Sequence, residues 1–241
     1  MTPGSDATHF GDNVALVWLS LAAGCTDVLT FLKLGDLFTS AMTGNVALLA
    51  IAIGHGQLLT ASRSFTALLA FALGVSLATA MNASRRAFPD VRGGLRRLLL
   101  LELVFLLGSA MLWSTSPDPV GGAALYAVIA LSAVSMGIQA VAARSINSSG
   151  ISTVVFTTAL LHVVMYATRA LARADAAVAS PGSIGSHLGT LAAYGAGAAA
   201  AGFLVSQHFS ATIWVPTVAV MTALGISQLA GKPEGSEPSG L

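Results

Sequence analysis

Eight mostly apolar stretches follow one another with little polar sequence between them: near 13–34, 39–55, 62–83, 97–114, 121–143, 151–172, 185–205 and 210–230. A helix needs about 20 mostly apolar residues to cross a hydrocarbon core of roughly 30 Å, and most of these stretches reach that length. In lipid every backbone polar group has to be satisfied within the segment or by its neighbours, so helices are the default. The apolar runs are continuous and lack the alternation of a membrane β-barrel. The expected fold is an all-α polytopic membrane protein, a single transmembrane domain over residues 1–241. Composition agrees: only 9% of residues are charged and mean hydropathy is +0.80, where soluble domains carry roughly 25% charged residues. A soluble enzyme, a disordered chain and a disulfide-stapled secreted domain are excluded. The net charge of +1 offers no footprint for nucleic acid, and the single cysteine, Cys25, has no internal partner.

The first twelve residues hold Asp6, His9 and Asp12 but no Lys or Arg. They lack the basic region of a cleaved signal peptide, so the first segment is expected to be retained. Residues 231–241, rich in Gly, Pro, Ser and Glu, read as a disordered tail. Orientation follows from the eleven Lys and Arg residues, which favour the cytoplasmic side. Five of them (Arg85, Arg86, Arg92, Arg96 and Arg97) sit in the linker around 85–97, which is expected to be cytoplasmic. If all eight segments span, Lys33 and Arg144 join that linker and Arg63, Arg169, Arg173 and Lys232 oppose it. If the second and sixth segments dip in and return, only Lys33 and Arg63 lie outside. The second partition obeys the positive-inside tendency better. The preferred reading is therefore about six full spans plus two short or broken helices, although 151–172 is long enough to cross. Segment 39–55 is short and interrupted by Gly44 and Asn45.

The two halves resemble each other in outline: a first repeat over about 13–114 and a second over about 121–230. Gly24 with Asp27 corresponds roughly to Gly137 with Gln139. The run from Ser40 to Asn45 corresponds roughly to Thr153, Phe156, Thr157, Thr158 and Ala159. Repeats with interrupted segments at matching positions are typical of secondary transporters, whose sites lie at the repeat interface near the midplane. Three full spans per half would make the repeats inverted; eight spans would make them parallel.

The densest polar cluster is Ala23-Gly24-Cys25-Thr26-Asp27, then Phe31-Leu32-Lys33-Leu34-Gly35-Asp36-Leu37-Phe38-Thr39-Ser40-Ala41-Met42-Thr43-Gly44-Asn45. The pattern A-G-x-x-D followed by F-L-x-L-G-x-x-F-x-S-x-M-T-G-N resembles the amino-terminal signature of the YoaK-like family, a domain of unknown function. In segment layout the resemblance runs from about 13 to 230. That family tends to show G-x-Q followed by a second Thr-Gly pair; this chain keeps Gly137-Ile138-Gln139 but has Thr157-Thr158 without the glycine. The resemblance implies a multi-pass protein of the bacterial inner membrane and supplies no substrate.

Asp27 is the first candidate for chemistry. An aspartate at a helix centre costs roughly 2.5–3.5 kcal/mol on insertion scales. It reads either as a proton or cation site or as a hydrogen-bonded group near the end of its segment. Ser40, Thr43, Gly44 and Asn45 offer hydroxyls, an amide and a place for close backbone approach, or else a helix-packing device. Gln139 could face Asp27 across the repeat axis, and Thr157 would complete the set from the second half. His162 is a candidate proton relay, although a lone histidine in an apolar helix is more often a packing residue. Glu102 is expected to snorkel or pair at the interface near Arg96 and Arg97. Gly195, Gly197 and Gly202 form a small-residue packing face. Phosphate loops, zinc spacings and nucleophile elbows are missing, so no enzyme activity, cofactor or metal is expected. The leading expectation is a small-solute transporter or permease. A non-transporting scaffold, sensor or accessory subunit is the alternative. The lipid bilayer, an unknown small solute and a homodimer are the expected partners.

Overall fold

A computed structural model describes residues 3–83, 91–117, 119–146, 156–171 and 181–229. Among them are eight α-helices: α1 (Pro3–Leu34), α2 (Met42–Gly54), α3 (Leu58–Ala83), α4 (Val91–Thr115), α5 (Gly122–Ile146), α6 (Phe156–Leu171), α7 (Pro181–Ser206) and α8 (Val215–Leu229). A 3-10 turn, Ser210–Trp214, leads into α8. The fold is all-α and polytopic. Among the described residues six stretches are long and apolar enough to cross a membrane: Gly11–Leu34, Leu58–Ala83, Gly93–Thr115, Gly122–Ile146, Gly185–Ser206 and Ser210–Leu229. The second segment yields a short helix, and the described part of the sixth is helical over Phe156–Leu171. With 13 residues, α2 is about 20 Å long at 1.5 Å per residue, too short for a core of roughly 30 Å.

The motif residues explain why α1 stops and α2 starts where they do. Gly35 takes φ +98°, a left-handed conformation that favours glycine, and the Asp36 N–H donates to the Phe31 carbonyl at 3.1 Å. This is a Schellman end, with the glycine just past the last helical residue. The chain then turns through 36–41 and re-enters helix at Met42. Gly44 and Asn45 therefore stand in the first turn of α2 and do not interrupt it, contrary to the sequence expectation. Arg63, early in α3, lies against Gly35, so the stretch between α1 and α3 that contains α2 leaves and returns at one end of the bundle.

Contacts fix the helix directions. Along α1 and α7, Ser186 pairs with Asn13 and Gly197 meets Leu21 further on; the two run parallel. Along α3 and α5, Ser62 pairs with Tyr126 and Gly74 meets Val134; these also run parallel. Gln139 bonds to the Leu19 carbonyl while Leu34 clusters with Leu125 and Val128, so α5 is antiparallel to α1. The α4–α5 hairpin is closed by Ser109 and Ser132. Further contacts join α8 to α1, α4 to α8, α2 to α3 and α6 to α7. The start of α1, the ends of α3, α5 and α8, and the starts of α4 and α7 consequently share one end of the bundle. Arg96, Arg97 and Arg144 stand at that end, Lys33 and Arg63 at the other.

Two glycine crossings hold the spans together. A methyl on Gly24 would overlap the Tyr194 carbonyl, and one on Gly197 the Leu21 carbonyl. In the other pair, a methyl on Gly74 would overlap the Val134 carbonyl, and one on Gly137 the Phe71 carbonyl. Small residues let backbones approach closely where lipid offers no hydrophobic drive between helices. Of the expected glycine face in α7 only Gly197 is so used; Gly195 faces open space and Gly202 makes ordinary contact. The most enclosed spans are α1 and α5. The outward faces carry Leu69, Leu73 and Leu77 on α3, Leu160, Leu161 and Val164 on α6, and Leu188 and Phe203 on α7, as lipid contact requires.

Candidate functional site

The motif folds into one polar knot between α1, the 35–41 turn, α2 and α7. Asp27 is fully buried. Its Oδ1 accepts the N–H of Thr39 at 2.8 Å and of Ser40 at 2.7 Å. Its Oδ2 accepts the Ser40 hydroxyl at 2.6 Å and the Tyr194 hydroxyl at 2.8 Å. A carboxylate has about four acceptor positions, and four good donors occupy them. Hydrogen bonds to a charged group contribute about 1.5–3 kcal/mol each, enough together to offset the roughly 2.5–3.5 kcal/mol cost of the aspartate in lipid. No lone pair is left open to a solute. What the arrangement does chemically is tie the turn after α1 to both α1 and α7.

Asn45 performs the neighbouring task. Its Oδ1 accepts the Phe38 N–H at 2.9 Å and its Nδ2 donates to the Phe38 carbonyl at 2.5 Å. Both backbone groups of an otherwise unpaired turn residue are thereby satisfied inside the protein, as a membrane-embedded turn requires. The Thr30 hydroxyl lies 2.9 Å from the Thr26 carbonyl and 3.2 Å from that of Leu37. Gly44 makes room for the Phe38 ring, which a β-carbon at that position would crowd. Phe38 in turn stacks on Phe31 with ring centroids 5.1 Å apart. Most of the polar positions in the motif serve this knot.

The structure brings Asp27, Ser40, Gly44 and Asn45 together, and leaves Thr43 and Gln139 out of the knot. Thr43 is exposed. Gln139 does not face Asp27: it is fully buried and its Nε2 donates to the Leu19 carbonyl at 2.8 Å. Leu19 is eight residues before Asp27 on α1, about 12 Å along the axis. The side chains of Thr157 and His162 lie outside the described residues, as do the linker residues 84–90 and the tail 231–241. Glu102 is not at an interface; it is fully buried in α4, and neither carboxyl oxygen has a hydrogen-bond partner among the described residues. Among the same residues there is no cluster of three or more His, Cys, Asp or Glu that could hold a metal ion. A cavity of about 400 Å³ opens at the Lys33 end, between Trp113, His208, Phe209 and Trp214, and none of the candidate residues lines it.

Sequence reasoning missed Tyr194 and Thr39. Tyr194 is the one hydroxyl-bearing aromatic of α7, and it lies three residues before Gly197. In the parallel crossing its backbone stands against Gly24, and the length of its phenol side chain carries the hydroxyl on to Asp27, three residues further along α1. The signal is visible only once α1 and α7 are known to cross at those glycines.

Comparison with known proteins agrees with this anatomy. The family described as Protein of unknown function (DUF1275) matches residues 15–226. The chain is 37% identical over 155 residues to the UPF0700 transmembrane protein YoaK of Bacillus subtilis (strain 168), a match covering 63% of this chain and 65% of that protein. No solved structure matches. With the motif, six span-length helices and the family match in agreement, the chain belongs to the YoaK-like DUF1275 family of multi-pass membrane proteins.

Proposed function

We propose that the protein is a small-solute transporter or permease of the bacterial inner membrane, built as an inverted repeat of two four-helix halves. One observation carries the reading: exchanging α1–α4 for α5–α8 leaves the pattern of helix contacts unchanged. The α1–α7 crossing at Gly24 and Gly197 has its counterpart in the α5–α3 crossing at Gly137 and Gly74, with reciprocal carbonyls three residues before each glycine. Because α5 runs against α1, the halves are inverted, with a short helix second in each. That architecture is shared by many secondary transporters, in which one half rocks against the other. Under the crossing register, Asp27 corresponds to Ala140 and Gln139 to Thr26, which revises the looser alignment of the motifs. Asp27 is then the fastening of the first half's short helix and acts on transport by positioning α2 against α1 and α7. The basic end of the bundle faces the cytoplasm.

Single cysteines at Ser20, Asn45, Glu102 and Gln139, in a chain with Cys25→Ser, test the reading with a membrane-impermeant maleimide on sealed vesicles of each orientation. Transport predicts labelling of Ser20, Glu102 or Gln139 from one side. Protection of all four from both sides would overturn it. The second reading, a non-transporting scaffold or accessory subunit, is favoured by one observation: the motif is dry, with every acceptor position on Asp27 occupied. Complete protection is the outcome it predicts.

A further inference from the structure

We infer that Glu102 and Gln139 form a proton-binding site in the seam between α4 and α5, separate from the Asp27 knot. The register of the hairpin places them opposite each other. Ser109 of α4 pairs with Ser132 of α5 at 2.6 Å between hydroxyl oxygens. Seven residues back along α4 is Glu102, and seven onward along the antiparallel α5 is Gln139. Seven residues return a helix to nearly the same face, so both side chains point into the seam that the serines close. The packing is continuous on both sides of them, with Leu106 and Ile138 toward the serines and Leu98, Leu99 and Ala142 beyond, all buried in one cluster.

Both residues are fully buried. The Gln139 amide is oriented by its bond to the Leu19 carbonyl, which leaves Oε1 as an acceptor without a donor; Glu102 has two carboxyl oxygens without partners. An ionised carboxylate buried without partners is far more costly than a neutral polar group. A proton on Glu102 removes the charge and supplies the donor that Gln139 Oε1 lacks. The charged and titratable groups of the surrounding helices stand elsewhere. Arg96, Arg97 and Arg144 lie at the helix ends, Asp12 stands seven residues before Leu19 on α1, about 10 Å along the axis, Lys33 and Arg63 lie at the opposite end of the bundle, Tyr126 pairs with Ser62, Asp27 is occupied by the turn, Cys25 packs with Leu29 and Ala201, and α8 carries none over Val215–Leu229. The assignment does not depend on whether the protein transports a solute.

Infrared spectroscopy of the full-length protein in lipid, near neutral pH, tests it directly. Subtracting the spectrum of Glu102→Gln should isolate a protonated carboxylic C=O band, and Gln139→Leu should move that band to higher frequency while keeping its area. Should Glu102→Gln fail to fold, Glu102→Met provides the same subtraction. A carboxylate band in place of the acid band would overturn the assignment, as would a carboxylate band that responds to added Na⁺, which would make the ligand a metal cation. An acid band that Gln139→Leu leaves unmoved would remove Gln139 from the site and with it the proposal.

Discussion

Two helix crossings in this molecule use the same glycine geometry, yet only one of them carries a carboxylate. Where α1 meets α7, the residue three after Gly24 is Asp27 and the residue three before Gly197 is Tyr194; the two are bonded at 2.8 Å. Where α5 meets α3, the matching positions are Ala140, after Gly137, and Phe71, before Gly74. Close approach therefore needs the glycines and does not need the polar pair. The aspartate is present where an adjoining turn presents two backbone N–H groups, those of Thr39 and Ser40, that have to be satisfied away from water. A polar residue in a span can thus be a consequence of the turn beside it. An expensive side chain then reads as function only after its partners have been counted.

That comparison is sharpest where it is broken. The largest effect is expected from Asp27→Ala, which strips the acceptor from Thr39, Ser40 and Tyr194; at about 1–3 kcal/mol for each donor left bare, the loss amounts to several kcal/mol. Thermal unfolding of the purified protein in detergent would register it, and Asp27→Asn, which keeps one acceptor oxygen, should fall between Ala and the parent. A full-sized stability in Asp27→Ala would mean that the turn does not depend on the knot. Gly24→Ala and Gly137→Ala come next. Each drives a methyl into a backbone carbonyl, costing about 1–3 kcal/mol or more, and the two should lower the melting temperature by similar amounts. Unequal losses would break the equivalence of the two crossings and weaken the inverted-repeat reading.

Asn45→Leu is expected to cost about 1–3 kcal/mol, because the Phe38 N–H and carbonyl both lose their partner. Proteolysis of the 36–41 turn should accelerate in that variant; unchanged cleavage would show that the turn is held by Asp27 alone. The smallest effect belongs to Tyr194→Phe, which makes the first crossing chemically like the second. Interhelical hydrogen bonds in membranes average about 0.6 kcal/mol and reach roughly 1.7, so a shift near that range is expected in the same melt. A loss as large as that of Asp27→Ala would mean that the tyrosine, and not the turn, is the main partner of the carboxylate.

Much of the architecture was legible in the chain. Span number follows from apolar length, because only about 20 apolar residues satisfy the bilayer, and the Lys and Arg distribution favoured six spans over eight. The motif was legible as a unit too, since Gly35, Asn45 and Asp27 are costly or unusual choices in an apolar segment. Its meaning was not. Asp27 read either as a proton or cation site or as a hydrogen-bonded group, and the sequence could not choose, because its donors are backbone N–H groups, which every residue possesses and no sequence advertises, together with a tyrosine 167 residues away. Glu102 looked interfacial because Arg96 and Arg97 are near it in sequence, but helical rotation turns those arginines outward while Glu102 faces the α5 seam.

The sequence by itself determined the solvent and the helix inventory, because these depend on local length and hydropathy. Tertiary structure alone decided which buried polar groups are satisfied and which are left bare. Hydrogen bonding in a membrane interior is settled between helices far apart in the chain. The Asp27 carboxylate is filled by the turn and by α7, whereas Glu102 and the second oxygen of Gln139 are left bare at matching positions of a seam whose register the primary sequence does not record.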